Sequence, residues 1–359
     1  MRTTLLAVAV VLTATATTRA DDGLTKGTPA VQSISTMTFG PNGLLFVGDP
    51  QGAAIFAIAT QDTSPAGAGD VKVDRLDAQL AGVLGVADKD VKISDMKVNP
   101  ASGNIYIAAT RGQSGGPAIV RITRSGKAEA LPMKDIPFAK VTLPNPAQGK
   151  GSQQSITSMA FVDGKLIVAG LSNEEFASTL RAIPFPFKDV DKGAGIQIYH
   201  GNHGALETKS PIRTFTPYKV GNEDAILAGY TCTPLVKIPV SELKAGAKVK
   251  GTTIAELGNM NTPLDMVPYT KDGKQYILVT NTARGVMKLQ ADGIDKIDPI
   301  TARVGGTAGV KYETISELKD VTQLDKLDDT RAVILVEEFT GQGAGRQRTK
   351  AELKTIPLP

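Results

Sequence analysis

Apolar and polar positions along this chain recur as a short phrase. A β-branched or small residue is followed by a polar pair, a methionine, a turn and a second apolar run. The phrase reads Ile34-Ser35-Thr36-Met37, Ile93-Ser94-Asp95-Met96, Ile156-Thr157-Ser158-Met159 and, more loosely, Pro263-Leu264-Asp265-Met266. Its turns are Pro41-Asn42-Gly43, Pro100-Ala101-Ser102-Gly103, Asp163-Gly164 and Lys271-Asp272-Gly273. The apolar runs that follow are Leu44–Val47, Asn104–Ala108, Lys165–Val168 and Gln275–Val279. Short strand-like runs between turn signals, with almost no helical periodicity, predict an all-β chain of hairpins. The units start near Ile34, Ile93, Ile156, Ile212, Pro263 and Asp320, at spacings of 59, 63, 56, 51 and 57 residues. Each has room for four strands. A recurring four-stranded unit predicts a β-propeller, here with six blades of antiparallel strands. A seventh blade would need a unit that the pattern does not show.

The fourth, outer strands are the less legible ones. The runs that predict them are Val71–Leu76, Val141–Leu143, Ile196–Tyr199, Lys248–Glu256 and Ile294–Ile297. Residues 78–88 and 315–326 are exceptions to the strand pattern, and either reads as a short helix. Blade six is the least regular, with its second strand at Arg331–Val336 and its third within 346–357. The segment Leu24–Val31 is the expected source of its missing strand. Within each phrase the small hydroxyl residues suit a crowded inner strand, and Met and Ile suit packing between blades.

The first twenty residues read as an address. Arg2, the apolar run Leu5–Leu12 and the small-residue site Thr18-Arg19-Ala20 make a secretory signal peptide, too short in its apolar part to span a bilayer. Residues 1–20 are therefore expected to be removed, leaving 21–359 as a single propeller domain that is exported, secreted or periplasmic. Losing Arg2 and Arg19 takes the formal charge from +4 to +2. Those charges are interspersed, which argues against nucleic acid or an anionic membrane as the main partner. No later apolar run has membrane length. One cysteine, Cys232, excludes an internal disulfide. The absence of Trp lowers the prior for sugar stacking.

Strand direction turns the repeat into a map. In a four-stranded blade, the turns joining second to third strands share a face with the connections between blades. That face collects Asp49, Thr110, Arg111, Asn173, Glu174, Tyr230, Thr231, Cys232, Asn281, Arg284, Glu337 and Glu338. Candidate ligand contacts drawn from it are Arg111, Asn173, Glu174, Tyr230, Asn281, Arg284 and Glu337. Arg111 and Arg284 suit bidentate contact with a carboxylate or phosphate, and equally suit ion pairs that hold blades together. Asp49 and Asp95 are candidates for a channel cation or for hydrogen bonds between blades.

The same face receives Tyr199-His200-Gly201-Asn202-His203-Gly204, which holds both histidines of the chain. Tyr230-Thr231-Cys232 follows about thirty residues later. His200 and His203, completed by Cys232 or Tyr230, offer the donor types of a zinc or copper centre. Calcium is the other candidate ion, through the acidic residues, and none of zinc, copper or calcium is fixed by the residues alone. Against the metal stands a plainer reading, in which the histidines brace a blade connection and Cys232 is a small buried hydrophobe. Tyr, His and Cys are also the ingredients of copper-radical oxidases of the galactose oxidase kind, but this chain lacks kelch blades.

The phrase Phe39-Gly-Pro-Asn-Gly-Leu-Leu-Phe-Val-Gly-Asp49 resembles the blade signature F-x-P-x-G-x-L-Y-V-x-D. It is the signature of secreted six-bladed propellers of the NHL, SMP-30 (gluconolactonase-like) and strictosidine-synthase-like group. The stretch Tyr199–Leu243 resembles part of bacterial exported propellers of no assigned activity. The signature is structural, so the resemblance implies the fold and transfers no catalytic residue. Together these observations lead to an exported, monomeric or weakly associating propeller that binds a small molecule or an extracytoplasmic protein around the channel mouth. The alternatives are a metal-dependent hydrolase, lyase or oxidase built on the histidines, and an envelope or extracellular scaffold.

Overall fold

The computed structural model describes residues 23–112, 115–341 and 343–359, so the expected signal segment lies outside the described residues. Turn chemistry sets the hairpins. Asp163-Gly164 (φ 48° and 74°) and Asp272-Gly273 (φ 51° and 74°) each hold two consecutive positive φ values. A tight two-residue hairpin needs that backbone, and Asp-Gly adopts it with little strain. The second strands are nearly continuous apolar runs. Leu44–Asp49 is buried at every position, because a neighbouring blade covers each face.

Six antiparallel sheets form a six-bladed β-propeller. Blades I to VI are numbered by chain order. Their inner strands are Thr36–Phe39, Val91–Val98, Ser158–Val162, Ile212–Val220, Pro263–Lys271 and Val321–Lys326. Each pairs with a second strand: Leu44–Asp49, Ile105–Arg111, Lys165–Leu171, Glu223–Tyr230, Lys274–Asn281 and Arg331–Thr340. The core is divided into six clusters, each shared by two blades. Met37 packs between I and II and Met159 between I and III. Met96 packs between II and VI and Met266 between IV and V. The methionine of the phrase is thus the residue that glues blades together, as its apolar, flexible shape suits.

Those clusters also give the order of the ring, which is not the order of the chain. Around the channel the blades run II, I, III, IV, V, VI, and VI meets II. The chain leaves blade I after its third strand, Ala54–Ala59, and returns only at its fourth, Ile136–Thr142. Residues 60–135 are inserted between those two strands. They carry Lys72–Val73, which is the fourth strand of blade VI, then helix α1 (Leu76–Leu84), then all of blade II. Helix α1 ends at Gly85, whose left-handed backbone (φ 69°) caps it. Its Leu76 and Leu80 are fully buried between blades II and VI.

Several outer-strand expectations are corrected by this topology. Of Val71–Leu76, only Lys72–Val73 is a strand, and it closes blade VI instead of completing blade I. Val141 lies in Ile136–Thr142, the fourth strand of blade I, while the outer strand of blade II is Ala128–Ala130. Ile294–Lys296 is a single 3-10 turn, and Tyr312–Thr314 is the outer strand of blade V. The N-terminal Thr25–Gly27 does not close blade VI, because it pairs with Ile136–Phe138 at the edge of blade I. The helical alternative over 315–326 gives way to the inner strand Val321–Lys326. Outer strands make few contacts on their solvent side, so their sequences carry little of the alternation that marks inner ones.

The insertion makes the weight of two short strands unequal. Val73→Asp puts a charge into the cluster beneath α1 and is expected to cost about 2–4 kcal/mol. Deleting Thr25–Gly27, which is mostly exposed, should shift stability by less than about 1 kcal/mol. Urea unfolding of the two variants checks the ranking, and equal losses would contradict an internal closure.

Candidate functional site: the central channel

Four of the inner strands carry a β-bulge, at Ile93/Asp95, Ile212/Thr214, Pro263/Met266 and Val321/Gln323. In a regular strand, successive side chains point to opposite faces. A bulge sets two residues against one and re-aims them. The polar pair of the repeated phrase sits at these bulges, and both members reach the channel. Ser94 with Asp95, Arg213 with Thr214, and Thr322 with Gln323 all line one cavity of about 480 Å³. Ser35, Thr38, Thr157 and Ser158 complete its wall from blades I and III.

Three aspartates on this wall fasten blades to one another. Asp95 of blade II accepts the Met37 N–H of blade I. The Val98 N–H of blade II donates to Asp325 Oδ2 of blade VI at 2.7 Å. The Leu324 N–H of blade VI donates to Asp265 Oδ2 of blade V at 3.1 Å. On the opposite side of the ring, hydroxyls perform this task. Ser35 Oγ donates to Ile156 O (2.8 Å) and Thr157 Oγ1 to Ile212 O (2.6 Å).

The three carboxylates share one counter-charge. Lys97 Nζ lies 3.3 Å from Asp265 Oδ1 and 3.4 Å from Asp95 Oδ1. The ammonium thus stands between two carboxylates, where a channel cation would otherwise sit. Burial works to lower the Lys97 pKa, but the nearby Asp265, Asp95 and Asp325 outweigh it and the group is held firmly protonated. Burial pushes Asp95 up, with Lys97 opposing and Asp265 adding. Asp325 is pushed up to about 6, again by burial against the pull of Lys97. Arg213 also lines the cavity, and among the described residues it has no ion-pair partner.

The residues nominated from Asp49 to Arg284 lie at or beside the second-to-third-strand turns, Glu337 and Glu338 lie within the paired strand Arg331–Thr340, and none of the seven candidate ligand contacts lines the cavity. Arg111 borders a separate hollow with Pro29, Leu84 and Met133. Arg284 packs against Gly258. Glu174 accepts from Asn145 Nδ2 at 2.7 Å, and Asn173 beside it is exposed. Asn281 is buried and accepts from Asn261 Nδ2 at 2.9 Å. Glu337 takes Arg348 (3.1 Å) and the Thr322 hydroxyl (2.8 Å). Tyr230 is fully buried between blades III and IV. Asp49 is buried and receives Gln32 N–H, Ser33 N–H and Gly52 N–H, which makes it a brace for the chain entering blade I.

His200 and His203 are on the blade III rim, at the end of the outer strand Ala194–His200. The donor beside them is Glu207, while Cys232 is exposed in the next blade's turn at φ 89°. The buried-cysteine expectation is therefore corrected. The repeated phrase contains both Asp95 and Asp265 but gives no sign that Lys97 joins them. Asp265 and Lys97 were legible only as "Asp before Met" and "Lys after Met", a signal too small to separate from surface charge.

No protein-family model matches the chain, and no curated protein resembles it in sequence. Solved structures match in overall shape at low similarity. The PQQ-bound aldose sugar dehydrogenase of Streptomyces coelicolor is 12% identical over 92% of this chain and 97% of its own, with a TM-score of 0.36. The hydrazine synthase of Kuenenia stuttgartiensis is 11% identical over 86% and 93%, with a TM-score of 0.39. A protein of unknown function from Dyadobacter fermentans is 10% identical over 94% and 96%, with a TM-score of 0.37. The propeller assignment rests on the blades themselves, and nothing is carried over from these proteins' ligands.

Removing the ammonium tests the network. Lys97→Met leaves three carboxylates at the wall and is expected to cost about 3–5 kcal/mol at pH 7.5. Folded Asp325 keeps its proton to about pH 6, and an unfolded Asp only to about 4. The native state therefore binds more protons across that window, and this group's contribution rises as pH falls from 6 towards 4. Denaturant melts should show the variant's deficit shrinking between pH 7.5 and pH 5. A deficit that does not change would remove Lys97 from the network.

Proposed function

We propose that this chain is an exported propeller whose central channel binds a small polar ligand. The observation that carries the reading is the cavity of about 480 Å³ into which all six inner strands direct polar groups. That volume is in the range of small-ligand pockets. Converging hydroxyls, Lys97 with its aspartates, and Arg213, without an ion-pair partner among the described residues, favour a ligand rich in hydrogen-bonding groups over an apolar one. The wall is two-sided. Charged groups from blades II, V and VI face hydroxyls from blades I and III, so a bound molecule would be oriented across it. The blade signature Phe39–Asp49 supports placing the chain with the NHL and gluconolactonase-like group, and the signal-like residues 1–20 support export.

The test is a thermal-shift screen of polyols, sugars, amino acids and small hydroxy acids against the mature protein and Thr38→Trp. Thr38 is half-buried on the channel wall, and an indole there fills the space. At least one class should raise the Tm of the parent and lose that effect, by tenfold or more in apparent affinity, in the variant. If no class binds, or if binding is equal in both proteins, the channel is not the site.

A further inference from the structure

We infer that His200, His203 and Glu207 form a binding site for one divalent transition-metal ion of the zinc class, on the rim of blade III and separate from the channel. The backbone assembles the three donors locally. The outer strand Ala194–His200 turns back through Gly201–Gly204 into the short strand Ala205–Glu207. His200 pairs with Ala205 and Ile198 with Glu207. Glu207 is thus two positions along from the residue opposite His200, so both side chains share one face. His203 leans over from the turn, with its ring centroid 3.7 Å from that of His200. The ligating atoms of all three residues lie within 4.8 Å of one another.

Hydrogen-bond accounting at His200 gives the second observation. Glu256 is fully buried and accepts from Gly201 N–H (2.6 Å), from Asn202 Nδ2 (3.1 Å) and from the Thr233 hydroxyl. Having donated its only proton to Glu256, Thr233 Oγ1 is an acceptor for every other neighbour. Asn202 Nδ2 donates to it at 3.0 Å, and His200 Nε2 lies 3.2 Å away. His200 Nε2 must therefore carry the N–H. With Nε2 committed to Thr233, Nδ1 is the ring nitrogen left to act as a ligand, and it faces Glu207 Oε1 at 3.0 Å. His203 Nδ1 faces that same oxygen at 2.6 Å. An imidazole nitrogen and a carboxylate oxygen this close, in a residue only 1% exposed, are held together by a shared cation, either a proton or a metal ion.

The chain Glu256–Thr233–His200 then has the form of an outer shell. It fixes the ring and its tautomer, as carboxylates and hydroxyls behind zinc-bound histidines do. Two imidazole nitrogens and one carboxylate oxygen suit a borderline divalent ion. Tetrahedral ligands at about 2.0–2.1 Å from zinc stand ~3.3 Å apart. The observed 3.0 and 2.6 Å are tighter, so seating an ion requires a shift of a few tenths of an ångström, which exposed His203 can supply. With His203 55% exposed, the remaining coordination position opens to solvent, the arrangement of three protein ligands plus water.

Titration of chelator-treated, untagged protein with Zn²⁺ by calorimetry tests the site. One equivalent should bind, and His203→Ala and Glu207→Gln should each weaken binding by at least ~10-fold. Co²⁺ in place of zinc should give the visible absorption of a low-coordinate site in the parent only. Circular dichroism checks that the variants, changed at a rim turn, stay folded. The assignment is overturned if the parent takes up no stoichiometric Zn²⁺, as it would if a second proton occupies His200 Nδ1. Unchanged affinity in either variant also overturns it. The channel reading is unaffected by either result.

Discussion

One ammonium group holds the middle of this propeller together. Three inner strands present aspartates that reach across to the backbone N–H of an adjoining blade, and Lys97 is the counter-charge that lets them crowd into one channel. Carboxylates are strong acceptors for backbone N–H groups, but three of them without a cation would repel one another at close range. The hydroxyl fasteners between blades I and III and between III and IV avoid that cost. They contribute less per bond and leave the wall that blades I and III supply uncharged. The asymmetry of the channel therefore follows from how the blades are joined.

The recurrent phrase now has a physical meaning. Its β-branched residue and methionine face the clefts between blades, and its polar pair sits at or beside a bulge that turns both side chains inward. That much was legible, because burial on two sides and a forced turn leave strong marks on residue choice. The bulge was not, since nothing in Ser94-Asp95 or Thr322-Gln323 distinguishes a bulged pair from an alternating one. At the rim, the His-x-x-His spacing drew attention to the right turn. Glu207 went unnoticed because it is an ordinary acidic residue until strand pairing brings it beside His200. Cys232 attracted notice for its rarity, and rarity says nothing about where a side chain points.

The outer strands were misassigned for a different reason. Sequence periodicity orders units along the chain, and in this fold that is not their order around the ring. Residues 60–135 break the equivalence. They lend Lys72–Val73 to blade VI and place blade II between VI and I. Local patterns carry no information on such long-range exchange, because Lys72–Val73 would look the same beside any blade.

That exchange has a consequence for how the molecule comes into being. The early strand Lys72–Val73 must dock on Lys354 and Leu353, which lie in the last strand of the chain, Gln347–Pro357. Until that strand exists, helix α1 and the VI-facing side of blade II have only each other to pack against. The apolar residues Leu76, Leu80 and Met96 then lack the cover that blade VI supplies. A contact so distant in sequence forms late and slowly. Without the strand Gln347–Pro357 the molecule is not a smaller propeller but an open ring, with the apolar seam between blades II and VI uncovered.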